Sequence, residues 1–359
     1  MKKVGIITFH RAKNYGAVLQ SYALQKTVQS LGNDCEIIDY ICENIDKGYK
    51  PFQFSKSDPI KSLAKSIIMF RKRSKRIKSF SSFYNNYLKI SKKSYTDSEI
   101  KNCKNEYDIF ITGSDQVWGP GRKGVNPDSA YFLDFADDFQ KYSYAASFGV
   151  ADIIDEKIPV LKSLMNGFQA FSVREQSAVE IVKKVTGKDA FCHLDPTFLL
   201  PSEEWKKIAV AKVKTPYILV FNVKPVKSLL DFAEKLSQEK NIPVIYLTDN
   251  PQKKRAGFTY VSAPSVEEFL GYFLNAAYTV TNSFHGTAFS VIFHKNLFVE
   301  FETAKGFNDR ACNLLTKLRI NREIKDGKAE ETEILWDKAE EILNIERNKA
   351  YEYLKQITE

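Results

Sequence analysis

The sequence predicts an α/β protein made of two doubly wound domains with a crevice between them. Three observations predict it. Strand-like and helix-like segments alternate along the chain, and they do so in two successive series. The 359 residues also exceed the roughly 100–200 usual for one domain. Apolar residues make up 43% and aromatics 13%, which supports a sizeable core and is unlike a disordered chain.

The elements follow in order. "KKVGIITF" (2–9) is a continuous apolar run, as a buried parallel strand requires. Its apolar part is too short for a signal-peptide core, and charges resume at once. "YGAVLQSYALQKTVQSLG" (15–32) sets Ala17, Leu24, Val28 and Leu31 on one helical face and stops at Gly32. "CEIIDY" (35–40) completes a βαβ unit. Residues 45–100 are polar, basic and aromatic, and read as helical insertions with loops. "YDIFIT" (107–112) and "KYSYAASF" (141–148) return to the sheet, and a helix spans about 153–166. The first domain is therefore placed at 1–166.

A second alternation begins with the strand "AFSVR" (170–174), the helix "EQSAVEIVKKVTG" (175–187) and the strand "AFCHLDP" (190–196), which ends at Pro196. "YILVFN" (217–222), "PVIYLT" (243–248) and "TYVSA" (259–263) are further strands. Ser265 and Glu268 form a capping box for the helix "SVEEFLGYFLNA". The strand at 278–281, the helix at 285–294 and the strand at 297–301 come next, then helical patterns at about 307–318 and 335–356. The second domain is placed at 167–334. A closing helix, 335–359, is expected to pack back on the first domain.

Formal net charge is +9, which favours an anionic partner. Much of the excess is local: "KSLAKSIIMFRKRSKRIK" (61–78) holds eight basic residues and no acid, beside an apolar side of Ile60, Leu63, Ala64, Ile67, Ile68 and Phe70. Such a helix can be an ordinary solvated face or can lie on an anionic membrane. Nucleic acid is not indicated, because no nucleic-acid motif accompanies the charge. No apolar run approaches the ~20 residues that span a bilayer. The five cysteines are odd in number and scattered, with no C-x-x-C, which argues against a disulfide framework or a zinc site and fits a reducing cytoplasm.

In doubly wound folds ligands collect just after the strands, and four polar clusters lie there. "HRAKNYGAVLQ" (10–20) lacks the dinucleotide and P-loop fingerprints, but Asn14 can cap a helix whose free amides hold an anion. "ITGSDQVWGPG" (111–121) offers a sharp turn at Gly113, then Ser114, Asp115 and Gln116. Trp118 follows as a flat face suited to sugar rings. Arg174 ends a strand where it can grip a carboxylate or phosphate, or pair with a neighbouring acid. His193 and Asp195, also after a strand, read as packing residues. In the last cluster Asn282 and Ser283 stand at a helix N-cap, and His285, Gly286 and Thr287 fill the first turn. The positive helix end favours an anion. Histidine can give and take a proton near neutral pH, and Gly286 admits close approach of a ligand. His294 reads as a C-terminal charge on that helix, and His10 is left open.

With these clusters in place, "NYGAVLQSYALQ", "YDIFITGSDQVW", "SYAASFG", "FSVREQSA", "LDPTFLL" and "TNSFHGTAFSVIF" occur in an order and spacing that resembles the polysaccharide pyruvyl transferase family. The likeness covers most of the chain and is strongest to the bacterial branch found with capsule and exopolysaccharide genes. It implies a two-domain fold like that of the GT-B glycosyltransferases. It also implies transfer of pyruvate from phosphoenolpyruvate to two sugar hydroxyls as a cyclic ketal; the sequence shows no metal-ligand spacing, and no cofactor or metal is expected.

The family's strand-end arginine corresponds to Arg174 and its active-site histidine to His285. The donor would then lie among Arg174, Asn282, Ser283, His285, Gly286, Thr287 and Arg310. The acceptor would lie among Asn14, Tyr15, Gln20, Gly113, Ser114, Asp115, Gln116 and Trp118. His285, Asp115 and Arg174 would be catalytic, with Asp115 accepting a sugar-hydroxyl proton. One departure stands out: many members carry Arg-Leu-His where this chain has Ser283-Phe284-His285, and Arg310 could replace the missing cation. The acceptor of such a cytoplasmic enzyme can be lipid-linked, which would give 61–78 a role at the inner membrane face. The alternatives left open are a nucleotide-sugar glycosyltransferase and a non-catalytic sugar- or anion-binding relative.

Overall fold

The computed structural model describes residues 1–50, 52, 59–121, 125–223, 226–249, 254–301 and 309–359. Its first sheet has five parallel strands: β1 (Lys3–Ile7), β2 (Asp34–Tyr40), β3 (Ile90–Tyr95), β4 (Ile109–Thr112) and β5 (Lys141–Ser143), in the order β3-β2-β1-β4-β5. Between them run α1 (Tyr15–Ser30), α2 (Glu43–Asp46) and α3 (Pro59–Tyr87). Val4, Ile6 and Ile7 of β1 are fully buried, as expected for a central parallel strand covered on both faces.

α4 (Ile158–Met165), β6 (Ser172–Val173), α5 (Gln176–Thr186) and β7 (Phe191–Cys192) follow. β6 pairs with β7, and Ala170 and Val173 bridge to Tyr142 and Ala146. Ala178, Ile181 and Val182 of α5 share a core with Phe110 and Phe132. These elements therefore extend the first sheet, and the expected division at 166/167 falls inside the first lobe. Sequence order alone made them look like the start of a new series.

After α6 (Ser202–Ile208) comes the second sheet: β8 (Ile218–Phe221), α7 (Lys227–Lys240), β9 (Val244–Leu247), β10 (Phe258–Val261), α8 (Val266–Asn275), β11 (Tyr278–Thr281), α9 (Phe284–Ile292) and β12 (Asn296–Val299). Its order, β10-β9-β8-β11-β12, repeats the winding of the first, again wholly parallel. α10 (Asp309–Lys317) and α11 (Trp336–Thr358) close the chain. α11 lies on the first lobe: Ala350, Tyr353, Leu354 and Ile357 pack with Val4, Ile6, Leu24 and Val28, and Tyr353 Oη donates to the Ser143 carbonyl at 2.8 Å.

Apolar side chains join the lobes. Tyr15, Val18 and Tyr22 of α1 and Phe80 and Phe83 of α3 share one core with Trp205, Phe269 and Phe289. Tyr15 stacks on Phe269 with centroids 4.2 Å apart, and its hydroxyl donates to the Pro264 carbonyl at 2.8 Å. In each sheet the winding reverses beside the central strand, between β1 and β4 and between β8 and β11. The carboxyl ends at those switch points are where doubly wound folds open a crevice.

Candidate functional site

Both switch points open into one cavity of about 750 Å³ between the lobes. Asn14 at the end of the loop after β1 and Tyr15 and Gly16 in the first turn of α1 reach it, with Asp115 and Gln116 from the loop after β4. Asn222 and Val223 come from the loop after β8, and Asn282, Ser283, Phe284 and His285 from the turn after β11. Arg76 of α3 and Arg310 of α10 complete the wall.

Two helix beginnings face this space, each locally capped. Asn14 Oδ1 accepts from the amides of Gly16 and Ala17 at 2.9 and 3.4 Å. Ser283 Oγ accepts from the Gly286 amide at 3.3 Å, and the Ser283 amide donates to Thr281 Oγ1 at 3.0 Å. These caps are what an Asn and a Ser at the last extended residue are suited for.

His285 sits where the lobes meet. A Cβ on Gly16 would fall 2.0 Å from His285 Nδ1, so the imidazole lies directly on the α1 backbone, and only a glycine leaves it room. The other ring nitrogen, Nε2, is 3.7 Å from Asp195 Oδ2, within ion-pair reach but beyond a hydrogen bond, and has no hydrogen-bond partner among the described residues. Asp195 is wholly buried and is the hub of the site: Arg174 Nη1 donates to its Oδ2 at 2.6 Å, and the Thr197 amide donates to its Oδ1 at 3.0 Å. Burial pushes its carboxyl up, but His285, Arg174 and Thr197 together outweigh that and hold it well below the usual carboxylate range.

A cationic layer lies beside this pair. Arg174 is ringed by Asp195, by Asp115 at 3.5 Å and by Glu175 at 3.7 Å. Its Nε and Nη2, and Glu175 Oε2, lack hydrogen-bond partners among the described residues. The guanidinium carbons of Arg174 and Arg310 are 5.1 and 5.4 Å from the Phe284 ring centroid. Burial and the neighbouring charge of Arg174 push Arg310 down to about 10. Both disfavour its charged form, which an anion in the cavity would favour.

Several sequence-predicted residues take other parts. Arg174 does not line the cavity: its side chain is 1% exposed and is held under it by Asp195. Arg310 reaches the wall from α10. Trp118 is a core residue at 0% exposure, enclosed by Phe132, Phe148 and Phe168, with Nε1 donating to the Tyr131 carbonyl. No face is left for a sugar. Gln20 is buried too, donating to Thr8 Oγ1 and accepting from the Ser114 amide, while Ser114 Oγ donates to the Ala145 carbonyl.

Gly113 and Thr287 are likewise internal. A Cβ on Gly113 would meet the Tyr144 carbonyl oxygen at 2.2 Å, and Thr287 Oγ1 donates to the Ser283 carbonyl. Gly286 is needed for packing rather than for a ligand, because a Cβ there would strike Thr281 Oγ1 at 2.3 Å. His10 is buried against Thr8 and Asp39, and His294 pairs with Glu340 at 2.9 Å.

Sequence reasoning missed three participants. Asp195 was read as packing. Phe284 carries no sequence signal beyond its place in the Ser283-Phe284-His285 triplet. Arg76 was counted with a basic helix, yet its Nε donates to the Lys13 carbonyl at 2.8 Å and its Nη1 pairs with Asp249 of the second lobe. A strand-end Asp-Pro beside an arginine and a histidine elsewhere was the signal available for Asp195.

No curated protein sequence matches the chain. Among solved structures, UDP-GlcNAc 2-epimerase from Methanocaldococcus jannaschii is 11% identical, with 96% of this chain and 93% of that one aligned and a TM-score of 0.51. Arabidopsis thaliana UGT89C1, complexed with UDP-L-rhamnose, is 10% identical over 100% and 99% of the two chains, TM-score 0.51. At such identities the likeness is one of fold: the two doubly wound α/β units that the alternating segments predict, in the GT-B-like arrangement that the family resemblance implies. The model of the family described as polysaccharide pyruvyl transferase matches residues 14–299, which take in the caps at Asn14 and Ser283, the Arg174–Asp195 pair and His285. The chain belongs to the polysaccharide pyruvyl transferase family.

Proposed function

We propose that this protein transfers pyruvate from phosphoenolpyruvate to two hydroxyls of a sugar, forming a cyclic ketal and releasing phosphate. One observation carries the reading: Arg310, a half-buried cation, lines the same cavity as His285 and two helix beginnings. A small doubly anionic enol ester suits that setting, with its phosphate or carboxylate at Arg310 and the first-turn amides.

The residues then have distinct tasks. The first sugar hydroxyl adds to the enol carbon, and the methylene takes up a proton and becomes a methyl group. Phosphate leaves with the electron pair of its C–O bond. The second hydroxyl closes the ring, and its proton goes with the phosphate. His285 exchanges protons through Nδ1, the nitrogen beside cavity-lining Gly16, while Asp195 faces Nε2 and steadies the imidazolium. Asp115, also at the wall, accepts a proton from a sugar hydroxyl. The cavity is far larger than the donor, so an acceptor sugar has room beside it.

Incubating the protein with phosphoenolpyruvate and a panel of sugars tests the reading. It expects one acceptor to gain a pyruvyl ketal in step with phosphate release. Turnover of a nucleotide sugar with no use of phosphoenolpyruvate would replace it with the glycosyltransferase alternative.

A further inference from the structure

We propose that the first half of α3 docks this protein on an anionic lipid bilayer. Leu63, Ile67, Ile68 and Phe70 all face solvent, Ile67 at 63% and Ile68 at 75% exposure. Four large apolar side chains within eight positions of one helix form an exposed cluster rather than scattered single residues. Arg71, Lys72, Lys75 and Lys78 are exposed on the turns that follow. The whole stretch from Lys61 to Lys78 carries no acid.

The pairing of the two features selects the occupant. A second copy of this chain would cover the apolar side chains but bring its own cations against these. An anionic bilayer meets both, with the apolar groups at the acyl boundary and the cations on the headgroups. The attachment is interfacial, since among the described residues no helix is long and apolar enough to cross a membrane.

The other half of the same helix is fixed. Phe80 and Phe83 are buried at the lobe junction, and Arg76 lines the cavity. From Ile67 to Arg76 the helix rises about 14 Å. A docked α3 therefore holds the cavity close to the lipid surface, where an acceptor carried on a lipid could be reached. That last consequence rests on the proposed function; the docking does not.

Sedimentation with vesicles tests it, using a phosphatidylglycerol–phosphatidylcholine mixture and phosphatidylcholine alone. The protein is expected to bind the anionic vesicles about tenfold or more tightly, with the preference shrinking as salt rises. Ile67→Asp/Ile68→Asp should lose about tenfold or more of that binding, and so should Arg71→Gln/Lys72→Gln/Lys75→Gln/Lys78→Gln. Neither variant should change phosphate release with a water-soluble acceptor, because none of these residues lines the cavity. Wild-type protein left in the supernatant, or unchanged binding by either variant, overturns the proposal. So does a wild-type dimer that Ile67→Asp/Ile68→Asp dissolves, which would assign the face to a second copy. If no acceptor supports phosphate release but the vesicle results hold, the proposed reaction fails and the docking stands.

Discussion

Residue by residue, the site depends on how closely His285 is gripped from two sides. Gly16 presses on Nδ1 and Asp195 faces Nε2. Gly16→Ala would push the imidazole aside, and a displacement near 1 Å is expected to cost about hundredfold in turnover. Steady-state kinetics should show the loss mainly in kcat, with the fold intact by circular dichroism; wild-type kcat would contradict the contact. Asp195→Asn should act on stability as well. It leaves the buried Arg174 charge without its nearest partner, which costs about 3 kcal/mol or more. The folded Asp195 carboxyl titrates below its ordinary value. Its contribution is therefore complete above the ordinary carboxylate range and is lost as pH falls through the lower folded value. Chemical denaturation from pH 7 downward should show wild type losing stability in acid and the Asn variant starting lower and changing less; equal stability at pH 7 would refute it.

Among the elements, the short pair β6–β7 is where packing and protonation meet. His193, just after β7, receives or gives a hydrogen bond at Ser172 Oγ, 2.8 Å away, and is pushed down to about 4 by burial. A histidine with a lowered folded value binds fewer protons folded than unfolded between its two values. Stability should therefore decline as pH falls from about 6.5 towards 4, by on the order of 2–3 kcal/mol. His193→Gln should flatten that segment of the pH–stability curve, and a retained slope would place its cause elsewhere.

The elements also show what the sequence could reveal. Central strands such as β1 and β8 were readable because burial on both faces makes them continuous apolar runs. The edge strand β3, "ISKKSY", was missed because three successive exposed positions break any apolar pattern. The loops after β1, β4 and β11 were readable as cavity-bordering, since switch points follow from winding alone. Which side chains in them face the cavity was not readable. Gln20 and Trp118 satisfy the same composition from inside the core as they would from the wall. Asp195 was obscured in the opposite sense, because its partners Arg174 and His285 come from other parts of the chain.

At the scale of the molecule, two similarly wound lobes are joined by an apolar seam and by a polar latch, Arg76 on α3 with Asp249 after β9. Asp249 is itself fixed by the Ser262 hydroxyl and the Ala263 amide. The pair is partly exposed, so its coupling should be modest, about 1 kcal/mol in a double-mutant cycle of Arg76→Ala and Asp249→Ala. Additive effects on stability would mean the latch is not formed in solution. The central claim concerns the cavity between these lobes: His285 passes protons while the cations and helix beginnings hold the donor. It is tested most directly by comparing wild type with His285→Ala for phosphate release from phosphoenolpyruvate, in the presence of the acceptor, alongside donor binding by calorimetry. The account predicts a loss of about 10²- to 10⁴-fold in release with donor affinity changed little. Undiminished release by the alanine variant would contradict it.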